Sequence, residues 1–327
     1  MAETTKKTEP TDRTARTDQT TRTTRTTGTE PRPLPALPGV RHHFVEGADG
    51  VRLHLAEAGP GDGTPLLLLH GFPQHWYAWR HLLPLLDGEF RLLCADLPGF
   101  GWSSAPRRTG YTTDDRARLV LSLLDRLGLE RVGLVGHDWG AWTGFELALL
   151  APERFTGLLA LNMTHPWPRQ RALLGTAWRF WYTALLEYPG IGRRVVRRHP
   201  GLLGHLLRRG VTPGTPWSEA ESAEYVAAGS TPDAAYAAER LHWGFVVRDI
   251  PRLALGRYRH RRLTVPTRLL GGALDPVIRP ALLSAAGAPA DDLTAEVLPG
   301  CGHFLPHERP EEVAGAVRRL FAAGVRP

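Results

Sequence analysis

Two cysteines in 327 residues, Cys94 and Cys301, are too few and too widely separated for a disulfide framework, and neither stands in a metal-ligand spacing. A reduced, cytoplasmic setting is the expectation, with no metal and no cofactor. No uninterrupted apolar run is long enough to span a bilayer, which argues against stable membrane insertion. The N-terminus lacks the apolar stretch and cleavage site of a secretory signal. Residues 1–38 have almost no large apolar side chains before Leu34 and are rich in Thr, Arg and Pro, so they cannot bury enough surface to offset the entropy of ordering. That segment is expected to be a disordered tail, dispensable for chemistry. The formal charge of +7 comes partly from this tail and partly from Arg193, Arg194, Arg197, Arg198, Arg208 and Arg209, whose spacing reads as solvated helix faces. No nucleic-acid motif accompanies them, and no nucleic-acid partner is expected.

Beyond Val40 the pattern is that of an alternating α/β protein. Val51–Leu55 alternates as a half-buried strand should, and Pro65–Leu69 and Arg91–Ala95 are short apolar runs ending in Gly- or Pro-bearing turns, as central parallel strands do. Thr113–Leu127 has helical periodicity, with Thr113 and Asp114 placed to cap its start and Gly128 its end. Val132–Val135 and Leu158–Leu161 supply further strands. Thr267–Gly272 and Ala295–Leu298 resume the sheet before a final helix near Pro310–Phe321. From about His165 to Asp249 come helical patterns, many aromatics and Pro-Gly breaks, but no strand. The simplest account is a doubly wound, mostly parallel sheet in two parts, residues 39–164 and 253–327, with a helical lid of residues 165–252 inserted between them.

The most informative stretch is Val132-Gly133-Leu134-Val135-Gly136-His137-Asp138-Trp139-Gly140. An apolar strand runs through Gly-x-Asp-x-Gly into a helix, which has the shape of a nucleophile elbow with aspartate where many hydrolases carry serine. Gly136 and Gly140 suit a turn too tight for side chains. The exchange changes the chemistry. A carboxylate is suited to displacing a leaving group from saturated carbon, and the resulting alkyl ester must then be cleaved by water.

Ligands bind at the strand ends along one edge of such a sheet. Four turns expected there carry suggestive residues: His70-Gly71-Phe72-Pro73, the elbow, Ala273-Leu274-Asp275-Pro276, and Gly300-Cys301-Gly302-His303. The order Asp138, Asp275, His303 matches nucleophile, acid and base. Imidazole titrates near neutrality, so His303 can take a proton from the attacking water, while Asp275 fixes its tautomer. The backbone N–H groups of Phe72 and Trp139 are placed to form an oxyanion hole. His307, the rival base, follows Pro306 at the start of the final helix and is expected at the surface.

These residues resemble the α/β-hydrolase-fold epoxide hydrolases. Gly136-His137-Asp138-Trp139-Gly140-Ala141 looks like their elbow, His70 to Arg80 is similar to their oxyanion loop, and Asp96 to Ser104 resembles a turn they share. The resemblance covers nearly everything after about residue 38. It implies the α/β-hydrolase fold and conversion of a hydrophobic epoxide to a vicinal diol through an ester on Asp138. The density of Trp and Phe points to a bulky aromatic or natural-product epoxide, and a monomer or homodimer is expected. The resemblance also implies a pair of lid tyrosines that protonate the ring oxygen. Trp181-Tyr182-Thr183 resembles the segment bearing the first, so Tyr182 is the expected donor. The position matching the second is His242, a departure from the pattern, and His242 is expected to donate in its place. Trp139, Trp181, Trp243 and Phe72 are the expected substrate contacts.

The related haloalkane dehalogenases share Asp-Trp at the elbow, but many carry Asn or Glu where this chain has Phe72, which offers a halide nothing polar. The fluoroacetate dehalogenases have the Phe version and pair it with arginines just after the nucleophile, where Trp139 and Trp142 stand here. A non-catalytic small-molecule receptor on this scaffold remains a reading of another class, with Trp167, Trp178, Trp181 and Trp243 lining its cavity; such a receptor has no use for Asp138, Asp275 and His303 together.

Overall fold

The leucine run Leu66 to Leu69 is enclosed from both sides. Leu67 and Leu69 join one apolar cluster, with Ala141, Phe145 and Leu123, while Leu66 and Leu68 point the other way into a second, with Trp76, Trp79 and Val317. This two-faced burial is what a continuous apolar strand in the middle of a parallel sheet produces. The molecule, a computed structural model, is described over residues 32–106, 111–168 and 188–322. From Ala36 onward the chain forms one compact unit.

Its sheet has eight strands. They are β1 (Arg41–Glu46), β2 (Arg52–Ala58), β3 (Thr64–Leu69), β4 (Phe90–Ala95), β5 (Val132–His137), β6 (Phe155–Leu161), β7 (Thr267–Gly272) and β8 (Leu293–Leu298), in the order β1-β2-β4-β3-β5-β6-β7-β8. The pairs β1/β2 and β2/β4 are antiparallel and the rest are parallel. The mostly parallel, doubly wound sheet expected from the sequence is therefore present. Strand β3 lies between β4 and β5, so the winding reverses beside it and opens a crevice at the strand C-termini.

Strand β1 is not anticipated by the sequence pattern. Its residues, RHHFVE, are largely exposed and show no clean alternation, because it is an edge strand held by backbone pairing to β2. The helices before β6 are α1 (Leu83–Leu86), α2 (Thr113–Arg126) and α3 (Trp139–Leu150). The cap of α2 lies one residue earlier than expected: Thr112 accepts from the Asp115 N–H and Asp115 reaches back to the Thr112 N–H. Gly128 follows its end with φ +66°, as expected for a helix stop.

Between β6 and β7 come α4 (Gly192–Arg198), α5 (Gly201–Gly210), α6 (Glu219–Gly229), α7 (Pro232–Gly244), a π-helical turn (Phe245–Asp249) and α8 (Ile250–Ala254), with no strand among the described residues. The chain closes with α9 (Leu305–Glu308) and α10 (Pro310–Phe321). Among the described residues, no helix is long and apolar enough to cross a membrane.

Candidate active site

Asp138 occupies the turn between β5 and α3 with φ 50° and ψ −120°, a conformation that costs an L-residue on the order of 1–3 kcal/mol. The surroundings hold it there. Its N–H donates to the Leu161 carbonyl and its own carbonyl accepts from Trp142. A Cβ at Gly140 would stand 1.9 Å from the Leu69 oxygen, so the elbow sits against β3 only because that side chain is missing.

The backbone N–H groups of Phe72 and Trp139 converge on the Asp138 carboxylate, Phe72 at 2.9 Å from Oδ2. Burial raises the Asp138 pKa, and the nearby imidazole and these two N–H groups only partly offset it. The Phe72 N–H is itself aimed by a histidine. The Leu97 N–H donates to His70 Nε2 at 2.9 Å, which places the ring proton on Nδ1, and Nδ1 donates to the Gly71 carbonyl at 2.9 Å. That carbonyl belongs to the same peptide unit as the Phe72 N–H. Burial pushes the His70 pKa down to about 4, so this tautomer persists at neutral pH. Gly71 leaves room for the carboxylate, since a Cβ there would lie 2.6 Å from Asp138 Oδ2. Because that Cβ would also stand 2.4 Å from Asp138 Cβ, Gly71→Ala should displace the elbow together with its carboxylate, lowering kcat by about 100-fold or more and lowering the melting temperature as well. Steady-state kinetics beside thermal unfolding would check this.

His303 follows β8, and its Nδ1 donates to Asp275 Oδ2 at 2.9 Å while its Nε2 lies 3.9 Å from Asp138 Oδ1. Asp275 follows β7. Its Oδ1 accepts from the Val277 and Ile278 N–H groups at 2.7 and 2.9 Å, and its Oδ2 accepts from Asn162 at 3.0 Å as well as from His303. These four donors fix the orientation of its carboxylate. Burial disfavours charge on His303, but Asp275 and then Asp138 outweigh it and lift the pKa to about 9. The resting imidazole is thus protonated near neutrality, between two carboxylates. Such an arrangement can hold a carboxylate nucleophile ionised and can move a proton at Nε2.

The expected residues Phe72, Asp138, Trp139, Asp275 and His303 are thus brought together at the ends of β3, β5, β7 and β8. His242 joins them from α7, its ring 5.1 Å from that of Phe72 and 5.4 Å from that of Trp139. Its expected role as donor does not fit its bonding. Nδ1 lies 2.7 Å from the Ala238 carbonyl, which can only accept, so the ring proton is on Nδ1. Burial lowers its pKa to about 4, and Nε2 of the neutral ring has a lone pair and no proton to give. Trp243 is half-buried and, among the described residues, makes none of the ring contacts that tie His242 to the site. Tyr182 and Trp181, with Trp178, lie outside the described residues. Trp167 is committed elsewhere, donating its indole N–H to the Tyr258 carbonyl at 3.0 Å.

His307 is not the surface residue expected. Its ring stacks on Trp217 at 3.9 Å, Nδ1 accepts from Arg80 at 2.9 Å and Nε2 faces the Thr215 carbonyl at 3.3 Å. Both nitrogens are occupied by residues from elsewhere in the chain, which sequence neighbours cannot reveal.

Sequence reasoning also passes over two supports. Asn162, with φ 50°, donates to both Asp275 and the Gly302 carbonyl at 3.0 Å and accepts from the Leu305 N–H at 3.3 Å. A lone amide ending the apolar run of β6 is the signal that could have found it. His137 donates from Nε2 to the His303 carbonyl at 2.7 Å, and a histidine inside a wholly buried strand is the corresponding clue.

Fold and site define an α/β hydrolase with aspartate at the elbow. Residues 64–310 match the family described as alpha/beta hydrolase fold. The chain is 31% identical over 299 residues to the soluble epoxide hydrolase of Corynebacterium sp. (strain C12), spanning 86% of this chain and 98% of that one. Among solved structures it is similar to the epoxide hydrolase CorEH without ligand, at 28% identity and a TM-score of 0.74, covering 87% of this chain and 99% of that one. It is likewise similar to Cfl2 from Burkholderia cenocepacia, at 32% identity and a TM-score of 0.74, covering 89% and 98%. The chain belongs to the α/β-hydrolase-fold epoxide hydrolase family. It is a hydrolase.

Proposed function

We propose that the protein opens a hydrophobic epoxide to a vicinal diol in two steps, with water as the only co-substrate. The observation that carries this reading is the Asp138 carboxylate itself: it accepts from the Phe72 and Trp139 N–H groups, Phe72 on Oδ2, and its Oδ1 is turned toward a His303–Asp275 pair. Asp138 Oδ1 attacks a ring carbon, the carbon–oxygen bond breaks, and the ring oxygen takes a proton from the Tyr182 phenol. That donor matters because an alkoxide leaves poorly, whereas a halide needs no proton.

Forming the ester removes the charge of Asp138, one of the groups that hold the His303 proton. The His303 pKa then falls, and its proton passes to the Tyr182 phenolate left by ring opening, so the neutral imidazole becomes a base. Its Nε2 takes a proton from water as the water oxygen adds to the ester carbon, and Oδ2 carries the developing charge in the oxyanion hole. Collapse expels the diol, which takes its proton back from His303, and the Asp138 carboxyl regenerated by hydrolysis then returns a proton to His303. In this reading residues 165–252 act as a lid, Phe72, Trp139, Trp181 and Trp243 contact the apolar part of the substrate, and His242 is a contact that accepts rather than donates.

Purified protein given styrene oxide and a bulkier aryl epoxide should yield the corresponding diols. Tyr182→Phe should slow this by about 100-fold or more. Unchanged epoxide turnover in that variant would sink the donor assignment. Halide release from haloalkanes with no diol from any epoxide would replace the reading by dehalogenation.

A further inference from the structure

Glu308 ends the short helix α9 and is 3% exposed. A carboxylate so enclosed ordinarily meets a cation, yet no cation pairs with it within salt-bridge distance among the described residues. Every partner it has is a neutral donor. Oε1 accepts from the N–H groups of Gly302 and Phe304 at 3.1 and 3.2 Å. Oε2 accepts from the Gly302 N–H at 2.9 Å, from the Thr212 N–H and hydroxyl at 3.0 Å each, and from the Thr215 hydroxyl at 3.3 Å. One oxygen thus serves the residues flanking His303, and the other joins them to the loop that follows α5.

The same two segments also meet backbone to backbone. The His303 N–H donates to the Gly210 carbonyl at 2.6 Å. A Cβ on Gly302 would stand 2.3 Å from that carbonyl oxygen. The His303 main chain is therefore pinned on the sheet side by His137 at its carbonyl, and on the insertion side by Gly210 at its N–H. Glu308 closes this junction with a buried negative charge.

We infer that Glu308 is a positioning residue that clasps the loop after α5 to the His303 loop, so that the base is in place for ester hydrolysis only while the helical insertion is seated. The inference rests on the two-step reading above. Glu308 neither touches the ester nor moves its proton. It sets where His303 sits and adds negative charge near the imidazole, one of the contributions that raise the His303 pKa. Opening the insertion at this edge means withdrawing the Thr212 and Thr215 donors. A buried carboxylate left with fewer donors is strongly disfavoured, which returns the loop to its seat.

The test compares Glu308→Gln with the double variant Thr212→Val, Thr215→Val, in the full chain. Glutamine keeps the shape but turns an amino group toward a cluster of donors. In single-turnover work with styrene oxide, Glu308→Gln should slow ester hydrolysis by about 10- to 100-fold while alkylation changes by less than about threefold. The His303 imidazole, followed by nitrogen-15 NMR, should titrate at lower pH, and amide exchange at Thr212, Gly302 and Phe304 should quicken. The threonine variant should quicken exchange at the same amides and slow ester hydrolysis more than alkylation while leaving the His303 titration in place, and it carries the test should Glu308→Gln fail to fold. Wild-type hydrolysis with an unshifted titration in Glu308→Gln, or wild-type exchange in the threonine variant, would overturn the inference. The titration and exchange need no substrate, so failure to open any epoxide would count against the reaction and leave the role of Glu308 still measured.

Discussion

Asp138→Ala is expected to abolish diol formation, lowering kcat by about 10⁴-fold or more, while the protein remains folded. The loss follows from removing the carboxylate whose two oxygens face the Phe72 N–H and the imidazole of His303. No water placed there by the same donors could form the ester. The fold should tolerate the change because burial raises the Asp138 pKa, so its charge at neutral pH opposes folding. Deleting the carboxylate removes that opposition, while the N–H groups lose an acceptor and the backbone keeps its φ of 50°. Circular dichroism and calorimetry alongside the kinetics would separate chemistry from unfolding. The variant should also lower the His303 pKa from about 9, since one of the charges that raise it is gone.

His303→Gln should split the reaction in two. Alkylation needs only the carboxylate and a proton donor on the ring oxygen, so one equivalent of epoxide should react. Hydrolysis needs a base on the water and should slow by about 10²- to 10⁴-fold. Intact-protein mass would then rise by the whole mass of the epoxide, because ring opening expels nothing. A haloalkane would instead add its mass less the hydrogen halide, so the same spectrum distinguishes the two chemistries. In the wild-type enzyme, ester hydrolysis should rise with pH to a plateau reached below pH 9, since alkylation removes the Asp138 charge that helps lift the His303 pKa to about 9. The folded state responds oppositely. Stability supplied by the imidazolium is complete below its ordinary pKa of 6.5 and is lost as pH rises through about 9.

The readable parts of the fold are those where one segment explains its own burial. Strands β3, β5 and β7 are apolar on both faces and end in turns of glycine, proline or aspartate, so both the sheet and the positions of Asp138, Asp275 and His303 follow from local pattern. The misplaced features are non-local. Strand β1 exists through pairing with β2 rather than through its own alternation. His307 is covered by Trp217 and Arg80, which no neighbour in sequence foretells. Glu308 reads as one more acid at the head of an amphipathic helix, until donors from residues 212–215 enclose it. His242 was legible as a site position but not in its chemistry, because the ring proton is assigned by the Ala238 carbonyl.

The central claim is that Asp138 carries the substrate as an ester. The most direct test is one turnover of styrene oxide by excess enzyme in oxygen-18 water, followed by mass analysis of the diol and of the peptide containing Asp138. Attack by Asp138 predicts an unlabelled first diol, which has taken its new oxygen from the carboxylate, and one heavy oxygen left in Asp138. A labelled diol with unlabelled Asp138 would mean that water attacks the epoxide directly, and the ester mechanism would be wrong.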